Sequence, residues 1–279
     1  MPLQDVSRTL VKTLLRQVAR LPHQSQRKRL RAPVIVGFWG QGGKIPQRTV
    51  ADRILAAFPS LHNVSGFENV VPEHITPNIY IQEEDDSQVN DFQILRRVLL
   101  SIIRQRIRPP DRETLDLWIN QGFDAHRSLA EQHDLWLGSC ITETNGLYID
   151  VTSMYQPEMS AATNRPDAYM YAYSLYIENK SKHTLQILGR HWKMHAHDRA
   201  QNVEEVKQLQ QGLVGKQPKL APGESFYYVS GTQLDSNYGE MSGKFLVRKY
   251  PDDAEEMNAA REENFFADVG PFDLVAPER

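Results

Sequence analysis

The 279-residue sequence has a single cysteine, Cys140, and no long apolar run. One cysteine excludes an internal disulfide bond and a zinc site built from several cysteines. No stretch approaches the roughly 18 consecutive apolar residues that span a bilayer, and none has the short apolar core of a signal peptide. We therefore expect neither a secreted disulfide framework nor a membrane span.

A strong net charge is also missing. The formal net charge is −3, which provides no general attraction to nucleic acid, so no DNA partner is expected. The charge is nevertheless uneven, because residues 1–51 are rich in lysine and arginine and contain Asp5 as their single acidic residue. Such a basic segment is typical of binding to an acidic protein or of organelle import.

The length predicts two domains, because a typical domain has roughly 100 to 200 residues. Hydrophobic residues make up 40% and charged residues 24% of the chain, which are ordinary values for a folded protein. The hydrophobic pattern changes from helical to alternating near Cys140. We predict a helical domain over residues 1–138, interrupted by an insertion at about 33–90, and an all-β domain over residues 139–279.

Two interleaved four-residue repeats predict the first helix. The apolar repeat consists of Val6, Leu10, Leu14 and Val18, and the basic repeat, here named the basic stripe, consists of Arg8, Lys12, Arg16 and Arg20. Residues four apart lie on one face of a helix, so the two repeats form separate faces. We expect the helix to end at Leu21-Pro22, since proline cannot continue it. The basic stripe is either a solvated face or a docking surface.

Two more helices are predicted after the insertion. Apolar residues recur with helical spacing from Phe92 to Ile103, and Pro109-Pro110 interrupts the pattern. Asp111 stands where the N-cap of a third helix would be, and this helix is expected to run to about Leu137 with an apolar face. The apolar face consists of Leu115, Ile119 and Leu129.

Beyond Cys140 the pattern is typical of strands. Apolar side chains alternate from Leu147 to Val151 and from Tyr169 to Ile177. Turn residues separate such runs at Asn179–Lys182, Pro222-Gly223 and Asn237–Gly239. Several short strands without intervening helices predict a β-sandwich or barrel.

A series of short motifs covers most of the C-terminal half. They are Val151-Thr152-x-x-Tyr155-x-Pro157-Glu158, Ile177-Glu178-Asn179, Arg190-His191-Trp192, Gly212-x-x-Gly215-x-x-Pro218, Ala221-Pro222-Gly223-Glu224, Ser230-Gly231, Gly239-x-Met241-x-Gly243 and Pro271-Phe272-x-Leu274. Their order and content resemble those of the ApaG domain. The resemblance implies a fibronectin type III-like β-sandwich that is mostly tied to protein interaction.

The same resemblance implies where a site would lie. Arg190-His191-Trp192 would occupy a strand and Gly212 to Pro218 the loop after it. Together Arg190, His191, Trp192, Gly212 and Gly215 would form an anion- or partner-binding site. The family loop usually has one more glycine, where this sequence has Gln210. For Gly212 and Gly215 a purely structural role in a tight turn is the alternative.

The N-terminal half resembles the LYR-motif proteins, which are small three-helix bundles of mitochondria. The matching segments are Leu10-Val11-Lys12, Leu14-Leu15-Arg16, Leu21-Pro22, Ile103-Arg104-x-x-Ile107-Arg108 and Asn120-Gln121-Gly122. Val11 replaces the tyrosine of the motif and Lys12 its arginine. The resemblance implies binding of mitochondrial acyl carrier protein, with the basic stripe against its acidic surface and its acyl-phosphopantetheine chain between the helices.

Few other residues suggest a nucleotide, metal or catalytic site. The glycines from Gly37 to Gly43 before Lys44 lack P-loop spacing, and Ile45 stands where serine or threonine would hold magnesium. His191, His195 and His197 alternate along a predicted strand and would share a face that could hold a metal, although structural histidines are the default interpretation. No catalytic residue is assigned.

We therefore expect a non-catalytic adaptor of the mitochondrial matrix or, failing that, of the cytoplasm. Its helical half would dock acyl carrier protein, and its ApaG sandwich would bind a second protein. One alternative is a nucleotide- or pyrophosphate-binding or hydrolysing protein that uses the Gly212–Gly215 loop and Arg190. Another is an ApaG recognition module with merely structural N-terminal helices. Exposed members of the set Tyr155, Trp192, Tyr227 and Tyr228 would then anchor its partner.

Overall fold

The structure is a computed structural model that describes residues 3–20, 30–31, 33–34, 40, 42–45, 57, 95, 111–196, 203–251 and 263–277. The chain divides into two compact units. The first comprises Met1–Pro33 and Arg48–His133, and the second comprises Val34–Gln47 and Asp134–Arg279. In the described part of the chain, no helix is both long enough and apolar enough to cross a membrane.

The first unit contains helix α1, Leu3–Arg20, which ends directly before Leu21-Pro22 as predicted. Leu10 and Leu14 are buried at 8% and 5% exposure. Arg8, Lys12 and Arg16 are exposed. The two repeats therefore form the opposed apolar and basic faces that their spacing predicted, while the side chain of Arg20 lies outside the described residues.

Helix α2, Arg112–Leu137, lies in the first unit up to His133 and ends at the predicted residue. Asp111 caps it, since Oδ1 accepts a hydrogen bond from the Thr114 backbone N–H at 2.6 Å. This bond is the main reason that the pKa of Asp111 lies below its usual value. The predicted apolar face of Leu115, Ile119 and Leu129 is buried.

Two contacts tie other segments of the first unit to α2. A Cβ on Gly122 would lie 2.4 Å from Leu10 Cδ2, so α1 packs directly on this glycine. The buried Gln132 amide accepts from Arg31 N at 2.8 Å and donates to Arg31 O at 2.6 Å. Leu95 is helical and fully buried, but the rest of the predicted second helix lies outside the described residues. The three-helix bundle stays a prediction.

The second unit is an antiparallel β-sandwich, which confirms the predicted all-β fold of the C-terminal half. Its strands are β1 Gly42–Ile45, β2 Ser139–Thr144, β3 Leu147–Tyr155, β4 Tyr169–Asn179, β5 Leu185–Ala196, β6 Val203–Gln208, β7 Lys219–Leu220, β8 Ser225–Leu234, β9 Tyr238–Lys249 and β10 Glu263–Val275. Sheet A has the order β1-β8-β4-β3-β2, and sheet B has the order β10-β9-β5-β6 with β7 beside β5. The short helix α3, Pro157–Ala162, connects β3 to β4.

The core lies between the two sheets and follows the predicted alternation. Leu147, Ile149 and Val151 of β3 face it, as do Tyr171 to Ile177 on one parity of β4. Side-chain bonds close one side of the sandwich, where Thr142 Oγ1 donates to Asp268 O at 2.6 Å and Ser153 Oγ donates to Asp273 O at 2.6 Å. These bonds satisfy carbonyls of β10, which is an edge strand.

Residues 34–47 belong to the sandwich unit, although they fall within the predicted insertion. Gly42–Ile45 pair with Ser225–Tyr228 of β8, and Gly40 N donates to Val229 O at 3.0 Å. Val34 packs on Ala172 and Val229. This segment therefore supplies an edge strand of sheet A, a pairing across almost two hundred residues that local sequence pattern does not reveal.

Candidate functional site

A bulge in β5 determines which side chains of Arg190-His191-Trp192 point into the core. Leu185 and Ile187 face the core, and the register shifts between Ile187 and Gly189. The extra residue reverses the parity of the strand, so Arg190 and Trp192 point inward while His191 points outward. The three consecutive residues therefore do not form one surface.

Trp192 is a core residue rather than a surface anchor. It is 2% exposed. Its ring centroid lies 5.7 Å from the ring centroids of Tyr173 and Phe245 and 6.3 Å from that of Phe272. Edge-on contacts of this kind stabilise an aromatic cluster beyond simple burial. Tyr228 is likewise fully buried, whereas Tyr155 and Tyr227 are half-buried.

Arg190 brings a positive charge to the inner face of sheet B. Within the described part of the chain, its Nε is buried without a hydrogen-bond partner, and so is the Tyr228 hydroxyl. Burial raises the pKa of Tyr173 and of Tyr228, and the nearby Arg190 charge partly opposes both shifts. A guanidinium beside two buried phenols, with no acidic partner among the described residues, is chemically suited to a carboxylate or phosphate.

The glycine loop forms a tight turn. Leu213 and Lys216 exchange backbone hydrogen bonds of 2.7 and 2.9 Å, and Gly212 N donates to Leu188 O at 2.9 Å. A Cβ on Gly212 would lie 1.9 Å from Lys216 O, and Gly215 has a φ of +78°. Three amides that could approach a phosphate are thus bonded within the protein, which favours the turn role for both glycines.

His191 and His195 share the outward face of β5, as alternation predicted. His191 Nε2 lies 3.7 Å from Glu205 Oε2, and Glu205 also contacts Lys193 and Lys207 at 3.3 and 3.0 Å. The hydrogen bonds from Lys207 and then Lys193 hold the pKa of Glu205 below its usual range. Among the described residues no three His, Cys, Asp or Glu side chains could hold a metal ion together, and His197 lies outside them.

The outward face of sheet B, here named the B face, combines charges with exposed apolar groups. Across four strands one row reads Asp268, Lys244, His191 and Lys207 in register. Lys244 Nζ lies 3.5 Å from Asp268 Oδ1. Phe266 is 49% exposed opposite Leu246, and Tyr238 and Val275, each 38% exposed, are paired further along β9 and β10.

Comparison with known proteins identifies the fold's relatives. The ApaG domain family model matches residues 159–249. The protein ApaG of Rhodopseudomonas palustris (strain TIE-1) is 36% identical over 135 residues, which cover 48% of this chain and 92% of that protein. The protein ApaG of Dechloromonas aromatica (strain RCB) is 37% identical over 49% of this chain and 97% of its own length. The chain belongs to the ApaG family.

One solved relative is the putative ApaA protein of Bordetella pertussis. It is 33% identical to this chain, with a TM-score of 0.40 over 48% of this chain and 95% of its own. The ApaG matches extend over about half of the sequence. The predicted resemblance of the N-terminal half to LYR-motif proteins, the mitochondrial location and the acyl carrier protein therefore stay predictions.

The outward face of sheet A differs from the B face of this ApaG sandwich. Ala172 and Val229 are fully buried there, and Tyr148, Thr152 and Glu178 are buried at 6%, 6% and 7% exposure. Tyr176 of the same face donates or accepts a 2.9 Å bond with Ser225 Oγ. This face consequently offers little apolar surface to a partner.

The residues that make the B face were not among the predicted site residues. Phe266, Lys193, Glu205 and Lys207 belong to no recognised motif, and they come together only through strand register. One signal was available in the sequence. Asn264, Phe266 and Asp268 alternate along the strand, and Phe266 is the one aromatic residue between two polar ones on that side. The Lys44–Glu224 ion pair was missed because β1 was not predicted.

Proposed function

We propose that this chain is a non-catalytic protein-recognition module whose ApaG sandwich binds a partner through the B face. The observation that carries the proposal is the exposure of Phe266, at 49%, on a face that also carries the charged side chains of Asp268 and Lys244. Family membership supports it, because the ApaG resemblance implies a role in protein interaction. The N-terminal helices are structural in this proposal.

The chemistry of the B face fits recognition. Burying a phenylalanine side chain in an interface contributes roughly 1.5–3 kcal/mol, and aromatic anchors within a polar surround are typical binding hot spots. Lys193, Lys207 and Lys244 are each more than half exposed, and each already has an acidic neighbour. Such mixed charges favour specificity and register over raw affinity.

The direct test is quantitative affinity purification from cells that express the tagged full chain. Wild type is compared with the double variant Phe266→Ala, Tyr238→Ala and with the control Met154→Ala, which is 36% exposed on sheet A. A protein bound to wild type and to the control, but depleted about tenfold in the double variant, supports the proposal. That protein is then purified and titrated against the same three chains.

Equal affinity of the purified partner for all three chains would remove the B face from the proposal. Loss of binding in the Met154→Ala control alone would move the recognition surface to sheet A. Far-ultraviolet circular dichroism of each variant shows whether the sandwich is intact, so that a folding defect is not read as a binding defect.

A second candidate function rests on helix α1. Arg8, Lys12 and Arg16 are exposed along one face, opposite the buried Leu10 and Leu14. This geometry supports docking of an acyl carrier protein, whose acidic surface would be attracted in a salt-sensitive way. Co-expression with mitochondrial acyl carrier protein tests it: a stoichiometric acylated complex that is lost in Lys12→Glu, Arg16→Glu is expected, and two separate elution peaks would refute it.

The half-buried Arg190, whose Nε is buried without a hydrogen-bond partner in the described part of the chain, supports a third candidate, an anion site for pyrophosphate or a nucleotide. Pyrophosphate should raise the unfolding temperature of the wild-type chain and leave that of Arg190→Met unchanged, because ligand binding stabilises the folded state by mass action. Equal shifts in both chains would place the anion elsewhere. The tightly bonded Gly212–Lys216 turn gives this candidate no support from backbone amides.

A further inference from the structure

The edge of β8 is filled by a short strand from far away in the sequence. Gly42, Gly43, Lys44 and Ile45 pair antiparallel with Tyr228, Tyr227, Phe226 and Ser225. Sheet A would otherwise end at β8, whose backbone groups would be open to another strand. Strand addition to such an edge is a recurring mode of peptide recognition, in which backbone bonds give affinity and side-chain pockets give specificity.

The position of Gly42 admits no side chain. A Cβ there would lie 2.8 Å from Phe226 Cζ and 3.0 Å from Val214 Cγ2. Phe226 is 3% exposed within the core and cannot easily yield. A Cβ on the neighbouring Gly43 would meet nothing within 4 Å. The edge therefore requires glycine at position 42 and has room for a side chain at position 43.

Two lysines hold the strand, one that belongs to it and one that belongs to a neighbouring turn. Lys44 Nζ forms an ion pair with Glu224 Oε2, and Glu224 also accepts from Ala221 N at 2.8 Å. Lys216 Nζ, from the turn that contains Val214, donates to the Gly42 carbonyl oxygen. The turn containing Gly212 and Gly215 thus forms one wall of a groove along β8, with Phe226 as its floor and Glu224 at its end.

The strand that fills this groove is weakly built. It has four residues and two glycines, and glycine lowers strand stability because it has no side chain to pack and loses the most backbone entropy. Its ion pair is exposed, at 53% and 39% of the two side chains, so salt screens it. A better-formed strand with the same two recognition features would compete with it.

We propose that the β8 edge is a peptide-docking groove that the chain fills with its own Gly42–Ile45 strand. The ligand that this groove would bind from another protein is an extended segment, with glycine against Phe226 and lysine two residues later. The groove lies at the edge of sheet A and shares no residue with the B face. Failure of the groove proposal would therefore not contradict the proposed role of the B face, and the reverse also holds.

The test uses full-length chains and a fluorescent peptide of residues 38–47, followed by anisotropy. Gly42→Val removes the chain's own strand by collision with Phe226, whereas Gly43→Val is the matched control with open space. The peptide is expected to bind Gly42→Val at least ten times more tightly than wild type or Gly43→Val. The same peptide with Gly42→Val should not bind any of the three chains.

A charge reversal gives a second measurement that does not depend on Gly42→Val remaining folded. Lys44→Glu in the chain breaks the ion pair without adding a side chain at Gly42 and should tighten binding of the wild-type peptide at least threefold. The Glu224→Lys chain should bind a peptide with Lys44→Glu more tightly than the wild-type peptide. Equal binding of the wild-type peptide to Gly42→Val and Gly43→Val, or no effect of the charge reversal, overturns the proposal.

Discussion

The outward faces of the two sheets come from the same strand alternation but have opposite environments. On sheet A, Ala172 and Val229 are fully buried, and Val34 packs on them. On sheet B, the corresponding positions carry Lys193, Lys244 and Phe266, all substantially exposed. A sandwich needs only one buried face per sheet, so the burial of the second face of sheet A is an addition to the sandwich core, whereas the B face keeps exposed side chains.

An acidic substitution at one position of each outward face should give the largest difference between the two sheets. Ala172→Asp buries an unpaired carboxylate and should lower the free energy of unfolding by about 3–5 kcal/mol. Ser242→Asp, on the B face in register with Lys193, should change it by less than about 0.5 kcal/mol. Urea unfolding followed by circular dichroism measures both. Equal costs would mean that the two faces are equally enclosed.

A smaller effect is expected from truncating the exposed aromatic of the B face. Phe266→Ala should raise the dissociation constant of the purified partner about tenfold, or about 1.4 kcal/mol, while the unfolding free energy changes by less than about 0.5 kcal/mol. Isothermal titration and urea unfolding of the same preparations separate the two quantities. A large loss of stability with unchanged affinity would make Phe266 a structural residue.

The smallest expected effect concerns the ionic network of the B face. Lys207 and Lys193 lower the pKa of Glu205 in the folded state, so its contribution to stability is present above the unfolded value and is lost as the pH falls through the folded one. Glu205→Gln should therefore have a slightly lower unfolding temperature near neutral pH. The difference should begin to shrink as the pH falls below 4.5, the ordinary glutamate value, and should vanish once the pH lies below the lowered folded-state pKa. A difference that persists in acid would mean that Glu205 acts through packing.

Sequence reasoning predicted much of this fold where local rules decide. Leu21-Pro22 marked the end of α1, Asp111 marked the start of α2, and the alternation from Tyr169 to Ile177 predicted the inner face of β4. Each feature depends on residues close in sequence, which capping, proline geometry and period-two alternation describe well.

The candidate site was harder to predict because its arrangement depends on distant pairing. The bulge before Gly189 turned Arg190 and Trp192 inward. Gly189 was the available signal, since glycine inside a strand often marks a bulge. The B face arises from four strands in register, with Glu205 and Asp268 brought beside lysines of other strands. The pairing of Gly42–Ile45 with β8 likewise needed the structure.

Site-specific photo-crosslinking tests the recognition role of the B face most directly. A photoreactive phenylalanine analogue replaces Phe266 in one full-length chain and Met154 of sheet A in another, and both are irradiated with the purified partner. We expect a crosslinked product from position 266 and none from position 154. Crosslinking only from position 154, or equally from both, would contradict the assignment of the B face as the recognition surface.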